Sequence, residues 1–548
     1  MYENKNIVKN GLRLPVVLIP GIIFIALLLW GFLDSFEFIN ILTNAFESMM
    51  YNLGWLVSLA MLLFLGFCVV IVFHPMGNIR LGGPNAKPKM SYWQWFTIAL
   101  CTGIGAGVVF WGAAEPLIFV MEPAPSFGIK PGSNEAIKWS MRTVFLHWTL
   151  IPYASSVVFG IVLAYVCHNM RMPYRVSSAL VPAFGKKFLD SKWATVVDVL
   201  TVFSIAGAVA GGLGYGFMQL SQGLRLTAGI EPSTKTYLLA ALVLFSIYMV
   251  SSLTGLKKGI NWLSDKNTNF FFLLLFVLLI FGPTAYIFNL MTESMGAFFG
   301  NFIEAMTYTS PYPNGQLWPQ WWDMYWWVDW LAYGPMLGLF FVRLGYGRTL
   351  REFVVVNMLM PSLFGFAWFS VFGGNVIHAQ IFEGIDFFSI YQQNGAEALT
   401  LSVLGQLPFA GLFTIIMMFI ITVSLATQCD SMVVSLSSMS MKNGSGTIEA
   451  PKKIKWFWGI IFIAVALVFT FAGGIDGVKI IKSFCGMPIT FFGIIMVIGF
   501  IKHIAKLPRT DTRQYVYEDA VANASDSGEE PIKPSKLSLI IQSLFKKE

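Results

Sequence analysis

Apolar residues in this chain recur in blocks of about 20, the length of helix that crosses a bilayer. Such blocks leave few structural options. In lipid every backbone N–H and C=O must be satisfied within the spanning structure, and a helix does this alone. Twelve spans are predicted, near residues 14–33, 54–73, 93–120, 142–167, 195–222, 236–254, 268–290, 325–345, 353–372, 408–437, 456–473 and 478–501. Composition agrees with this pattern. Only 12% of residues are charged, where a soluble domain carries about 25%. The chain therefore reads as an all-α polytopic membrane protein. The first block is too long for a signal-peptide core, and no small-residue cleavage site follows it, so it reads as an uncleaved first span.

Loop charge sets the expected orientation. The loops at 74–92, 168–194, 255–267, 343–352 and 438–455 carry about eighteen Lys and Arg, and the alternate loops about four. The basic set is expected in the cytoplasm, which puts both termini inside and the protein in the cytoplasmic membrane. The net charge of +7 lies in loops and tails and gives no reason to expect a nucleic-acid partner. Cys68, Cys101, Cys167, Cys429 and Cys485 sit in or beside apolar segments without metal-ligand spacing.

Two outer segments read as partly structured. Segment 295–324 holds Tyr308, Tyr312, Trp318, Trp321 and Trp322, expected as an interfacial aromatic belt. Segment 379–400 is amphipathic and is expected to lie along the surface. The tail from about Lys502 turns acidic, then basic, and its end, with Leu537, Ile540, Ile541, Leu544 and Phe545, fits either an interfacial helix or a loosely ordered tail.

Three segments carry chemistry. In the first, Trp326, Asp329, Trp330 and Tyr333 share one helical face, with Trp327 beside them. Indole faces attract cations that have no N–H to donate, such as methylated ammonium groups. A carboxylate inside a membrane is costly without a partner or a task. In the second, Gly103, Gly105 and Gly107 alternate with Ile104 and Ala106, which predicts a bent or unwound stretch lining a cavity, or else close helix packing. Glu115 and Pro116 follow near its outer end. In the third, Thr427 and Gln428 open a polar run, Thr427 to Ser431, inside an apolar block, a candidate ion or substrate path. His147 and Trp148, with Tyr153 five residues on, add aromatic groups to the fourth span.

Enzyme signals are absent. The histidines His74, His147, His168, His378 and His503 show no metal-ligand spacing, and no nucleophile motif or phosphate loop appears. Glycine-broken helices with an aromatic box favour alternating access over an open channel.

These stretches resemble the betaine/choline/carnitine transporters. The resemblance rests on Gly103 to Pro116, on His147-Trp148, on Lys258 to Ser264, and on Trp326 to Glu352, and it extends over residues 10–505. It implies an inverted repeat of five plus five helices, the neurotransmitter-sodium-symporter-like fold. Residues 1–92 would hold the N-terminus and two leading helices, and 93–290 the first repeat. Segment 291–324 would be interfacial, 325–501 the second repeat, and 502–548 a cytoplasmic tail. A homotrimer is implied. So is a quaternary-ammonium substrate held near the midplane between the glycine-rich and tryptophan-rich spans, with no organic cofactor.

Matched position by position, the implied aromatic box is Trp148, Tyr153, Trp330 and Tyr333, with Trp326 above it and Asp329 among them. Asp329 stands where relatives carry the first tryptophan of a pair. A carboxylate there is expected to contact the substrate cation and to favour a less methylated amine or a cation without its own carboxylate; the alternatives are a titratable site for proton coupling and a pairing with a protein group away from the pocket. Sodium-coupled relatives carry hydroxyl residues where this chain has Gln428 and a run of alanine and glycine around Ser204, which points to sodium-independent transport. The readings kept open are an ammonium exchanger, a carrier of an amino-acid-like compound, and a non-transporting sensor with the same pocket.

Overall fold

The computed structural model describes residues 11–254, 257–311, 317–442 and 450–506, with the side chains of 101–106 and 257–265 outside the description. Every predicted span falls on a helix. Among the described residues, eight helices are long and apolar enough to cross a membrane, and the pair Lys266–Phe281 and Thr284–Gly300, bent by 112°, makes a ninth span. One of the eight, Lys452–Ala505, holds two predicted spans and turns at Gly474, whose φ of 52° suits glycine. The remaining two predicted spans are the glycine helix Tyr92–Met121 and the tryptophan helix Asp323–Gly345.

Local sequence explains the helix ends that place the site. Ser91 and Gln94 form a reciprocal cap at the start of the glycine helix. Ser191 caps helix Lys192–Ala228, which ends at Gly229 in the left-handed region. Thr349 and Glu352 cap the helix that follows the tryptophan helix.

Three expectations change. The glycine helix is helical throughout, so its glycines do not unwind it. Of this stretch, Gly107 serves close packing, because a Cβ there would stand 3.3 Å from the Trp148 ring. Segment 379–400 does not lie wholly along the surface. Its second helix, Ala396–Leu404, is mostly buried. There the Thr400 hydroxyl donates to Phe110 O at 3.0 Å and accepts from Ala113 N at 3.3 Å. Trp318, Trp321 and Trp322 are not an outward belt either. They pack inward on Phe119, Phe46 and Trp111. Indoles with inner partners bury more area than they would at the interface. Tyr312 and the tail residues 537–545 lie outside the described residues, as does most of Lys258 to Ser264 beyond its helical backbone.

Small residues bring the site's helices together. Gly207, Gly211 and Gly214 line one face of Lys192–Ala228, where a Cβ would strike Cys485, Lys482 and Val478 respectively. Gly334 and Gly338 seat the tryptophan helix on Phe159 in the same way. On the basic side, Arg351 donates to Val72 O at 2.6 Å and to Asn78 Oδ1 at 2.7 Å. Arg348 donates to Met90 O at 2.7 Å. These arginines staple loops and are remote from the aromatic cluster.

Candidate substrate site

The tryptophan helix presents two adjacent faces. Residues 329, 333, 326 and 330 fan over about 100° of a helix at 3.6 residues per turn. An arc that wide meets two neighbours. Trp326 and Trp330 face Trp148, with ring centroids 4.4 and 5.9 Å away, and Tyr153 lies 5.4 Å from Trp330. Asp329 and Tyr333 turn instead towards helix Lys192–Ala228 and the final span. Tyr333 Oη donates to Ala208 O at 2.5 Å.

The two faces have different chemistry. The first is a buried aromatic cluster in which the indole N–H groups of Trp326 and Trp330 have no hydrogen-bond acceptor among the described residues. The second is ionic. Lys482 Nζ lies 2.7 and 2.8 Å from the two Asp329 oxygens. It also lies 4.8 Å from the Tyr215 ring centroid and 5.4 Å from that of Tyr333. Asp329 and Lys482 are both buried, so two charges cancel inside the protein.

The remaining expected residues divide between these faces. Gly107 meets Trp148 on the aromatic side. Gln428 reaches the ionic side, since both its Oε1 and the Tyr333 hydroxyl approach the space above Gly212. Thr427 is buried in the same helix, Ala410–Met439. Gly103, Ile104 and Gly105 belong to the part of the glycine helix whose side chains are not described.

Sequence reasoning singled out Glu115 and His147 separately but missed Asp323 and the link between the three. Glu115, His147 and Asp323 form a buried chain, with His147 Nδ1 2.5 Å from Glu115 Oε1 and Nε2 2.7 Å from Asp323 Oδ1. The second Glu115 oxygen accepts the Trp148 indole N–H at 2.7 Å. This chain fixes the orientation of the Trp148 indole. Lys479 and Lys482 were missed as well. Both stand at the start of an apolar block, where lysine ordinarily snorkels to the interface. Their signal was a spacing of three, which places both on one face of a span.

A multi-span helical bundle with aromatic and charged groups meeting in its interior defines a membrane carrier of small polar solutes. The sequence profile of BCCT, the betaine/carnitine/choline family of transporters, matches residues 15–509. The chain belongs to that family. It is 28% identical over 482 residues to the glycine betaine transporter OpuD of Bacillus subtilis, covering 88% of this chain and 92% of that protein. It is 28% identical over 500 residues to an ectoine/hydroxyectoine transporter of Virgibacillus pantothenticus, covering 91% and 98%. Against the osmo-independent choline transporter BetT1 of Acinetobacter baylyi it is 28% identical over 479 residues, covering 86% and 89%.

Proposed function

We propose that this protein carries a compact quaternary-ammonium compound across the cytoplasmic membrane by alternating access, without sodium. Trp148, Tyr153, Trp326 and Trp330 would hold the onium group by cation–π attraction, worth about 0.5–2 kcal/mol per face. Relatives named for glycine betaine, ectoine and choline support an onium-type cargo. Residues 93–290 and 325–501 would act as the two repeats that rock against each other. Both termini would lie in the cytoplasm, and the chain would assemble as a trimer.

The observation that carries the sodium-free reading is the Lys482–Asp329 pair. Asp329 is the carboxylate that would otherwise attract a cation, and its charge is already balanced by a covalently attached ammonium. This also moves Asp329 from substrate ligand to partner of Lys482. It weakens the alternative of a less methylated amine bound directly by that carboxylate.

The test is uptake into proteoliposomes of labelled glycine betaine and choline, with and without a sodium gradient and with internal substrate preloaded. Uptake that follows preloading and ignores sodium is expected. Strict dependence on a sodium gradient would overturn the sodium-free reading. Failure of both substrates in every condition would overturn the onium reading.

A further inference from the structure

Three lysines are buried among the described residues, Lys455, Lys479 and Lys482. Lys455 donates to Ser252 O at 2.7 Å, and Lys482 meets Asp329. Lys479 differs from both. It is 4% exposed, yet its one described hydrogen bond is a long contact, 3.5 Å to Trp321 O. No described carboxylate lies within 4.0 Å of its Nζ. Its ammonium stands over the Trp322 ring, 3.8 Å from the centroid, with Tyr325 and Trp111 at 5.1 and 5.3 Å.

None of the described charged groups around it closes an ion pair with it, although Asp476 and Glu115 both attract it. Both Glu115 oxygens are taken by His147 and Trp148. Asp476, one turn before Lys479, is exposed. Lys482, one turn after it, is positive and already paired. An ammonium has three donors, and a buried cation without an anion is costly. π faces offset only part of that cost.

Lys479 is also close to the cage. Trp326 touches Tyr325 at 4.8 Å and Trp111 at 5.6 Å on one side, and Trp148 at 4.4 Å on the other. The aromatic group that borders the Lys479 site is thus the group that borders the onium cage. Its indole N–H is buried without an acceptor among the described residues. One more donor is therefore available to an anion placed there.

We propose that Lys479 is the carboxylate ligand of the transport site, and that the cargo is a zwitterion bearing an onium group and a carboxylate. This rests on the onium reading above and sharpens it. The cation without a carboxylate that Asp329 alone suggested is disfavoured, because the Asp329 charge is cancelled and the Lys479 charge is not. Lys479 is then a specificity-determining residue that separates betaine-type from choline-type substrates.

Three ligands of similar shape separate the parts. Glycine betaine has both charges, choline lacks the carboxylate, and 3,3-dimethylbutyrate lacks the onium charge. Binding would be read by tryptophan fluorescence on the purified full chain, and transport by counterflow. Wild type should prefer glycine betaine to choline by about 10- to 100-fold, the weight of a charge-assisted hydrogen bond. Lys479→Met should remove that preference by weakening glycine betaine and 3,3-dimethylbutyrate while sparing choline. Lys479→Arg should retain the preference. Trp330→Leu should weaken glycine betaine and choline together.

Wild type that binds choline as well as glycine betaine overturns the Lys479 proposal and leaves the onium reading standing. Lys479-dependent binding of 3,3-dimethylbutyrate alone supports Lys479 as the carboxylate ligand but overturns the onium reading and, with it, the zwitterionic cargo. Binding of none of the three overturns both. Equal loss of glycine betaine and choline in Lys479→Met, with Lys479→Arg no better, would make Lys479 a structural residue and overturn the proposal.

Discussion

Lys482 of the last span and Asp329 of the tryptophan helix meet at 2.7 Å with both side chains out of solvent. The Lys482 stem lies on Gly211, where a Cβ would stand 2.4 Å from its Cγ and Cδ. The pair therefore ties three helices together at one point: Lys192–Ala228, Asp323–Gly345 and Lys452–Ala505. Breaking a buried pair by removing one partner leaves an uncompensated charge and costs about 3–5 kcal/mol. We expect Lys482→Met and Asp329→Asn each to lower the thermal stability of the detergent-purified protein. The double substitution should recover much of the loss, because it removes both charges. Additive losses would show that the two residues act independently. Lys482→Met also bears on coupling. Exposing the Asp329 charge should make uptake respond to external cations, and a response unchanged from wild type would show that the pair is not what sets the coupling.

One glycine of helix Lys192–Ala228 and one of helix Thr284–Gly300 offer a second comparison. At Gly207 an added Cβ would lie 2.1 Å from Cys485 Sγ, whereas at Gly296 nothing lies within 4 Å. Overpacking a close interface costs about 1–3 kcal/mol, while alanine in an open helical position gains up to about 1 kcal/mol over glycine. Gly207→Ala should reduce stability and transport, and Gly296→Ala should leave both intact or improved. Similar melting temperatures for the two variants would deny the close helix contact.

Much of this architecture was legible because a bilayer imposes length. Blocks of about 20 apolar residues gave the spans, and each falls on a helix. The site was legible only in part. Trp148, Tyr153, Trp326 and Trp330 come together, since aromatic residues at helical spacing keep one face. The partner of Asp329 was not legible because it lies 153 residues away in sequence, and no local pattern announces a lysine that far off. Lys479 and Lys482 were passed over because they fall at the start of the last predicted span, where lysine ordinarily snorkels to the interface. The Ala396–Leu404 helix read as a surface element because its fit depends on backbone groups of the glycine helix, which no side-chain pattern reveals.

That helix makes its own prediction. The Thr400 hydroxyl bridges Phe110 O and Ala113 N next to Trp111, one of the rings around Lys479. Thr400→Val keeps the shape and deletes both bonds, while Phe110 O and Ala113 N keep their partners within the helix Tyr92–Met121. A loss of about 0.5–1.5 kcal/mol is expected, and Thr400→Ser should restore most of it. Limited proteolysis of the 379–407 segment would report the loosening. Equal resistance in wild type and Thr400→Val would mean that the hydroxyl is dispensable.

Glu115 makes the last case, because its two oxygens do separate jobs. One meets His147 at 2.5 Å and the other accepts the Trp148 N–H at 2.7 Å. The indole that forms the centre of the proposed cage is thus oriented by a carboxylate on the opposite helix. Glu115→Gln keeps an acceptor for Trp148 but loses the charge facing His147. Glu115→Leu loses both and leaves His147 with Asp323 alone. If orientation of Trp148 is what the cage requires, substrate affinity in counterflow should fall about tenfold or more in Glu115→Leu, the weight of a hydrogen bond to a charged group. Glu115→Gln should fall in between. The two variants would lose affinity equally if the charge beside His147 were the whole effect. An unaltered affinity in Glu115→Leu would show that Trp148 holds its position by ring packing on Trp326 and Phe369 alone.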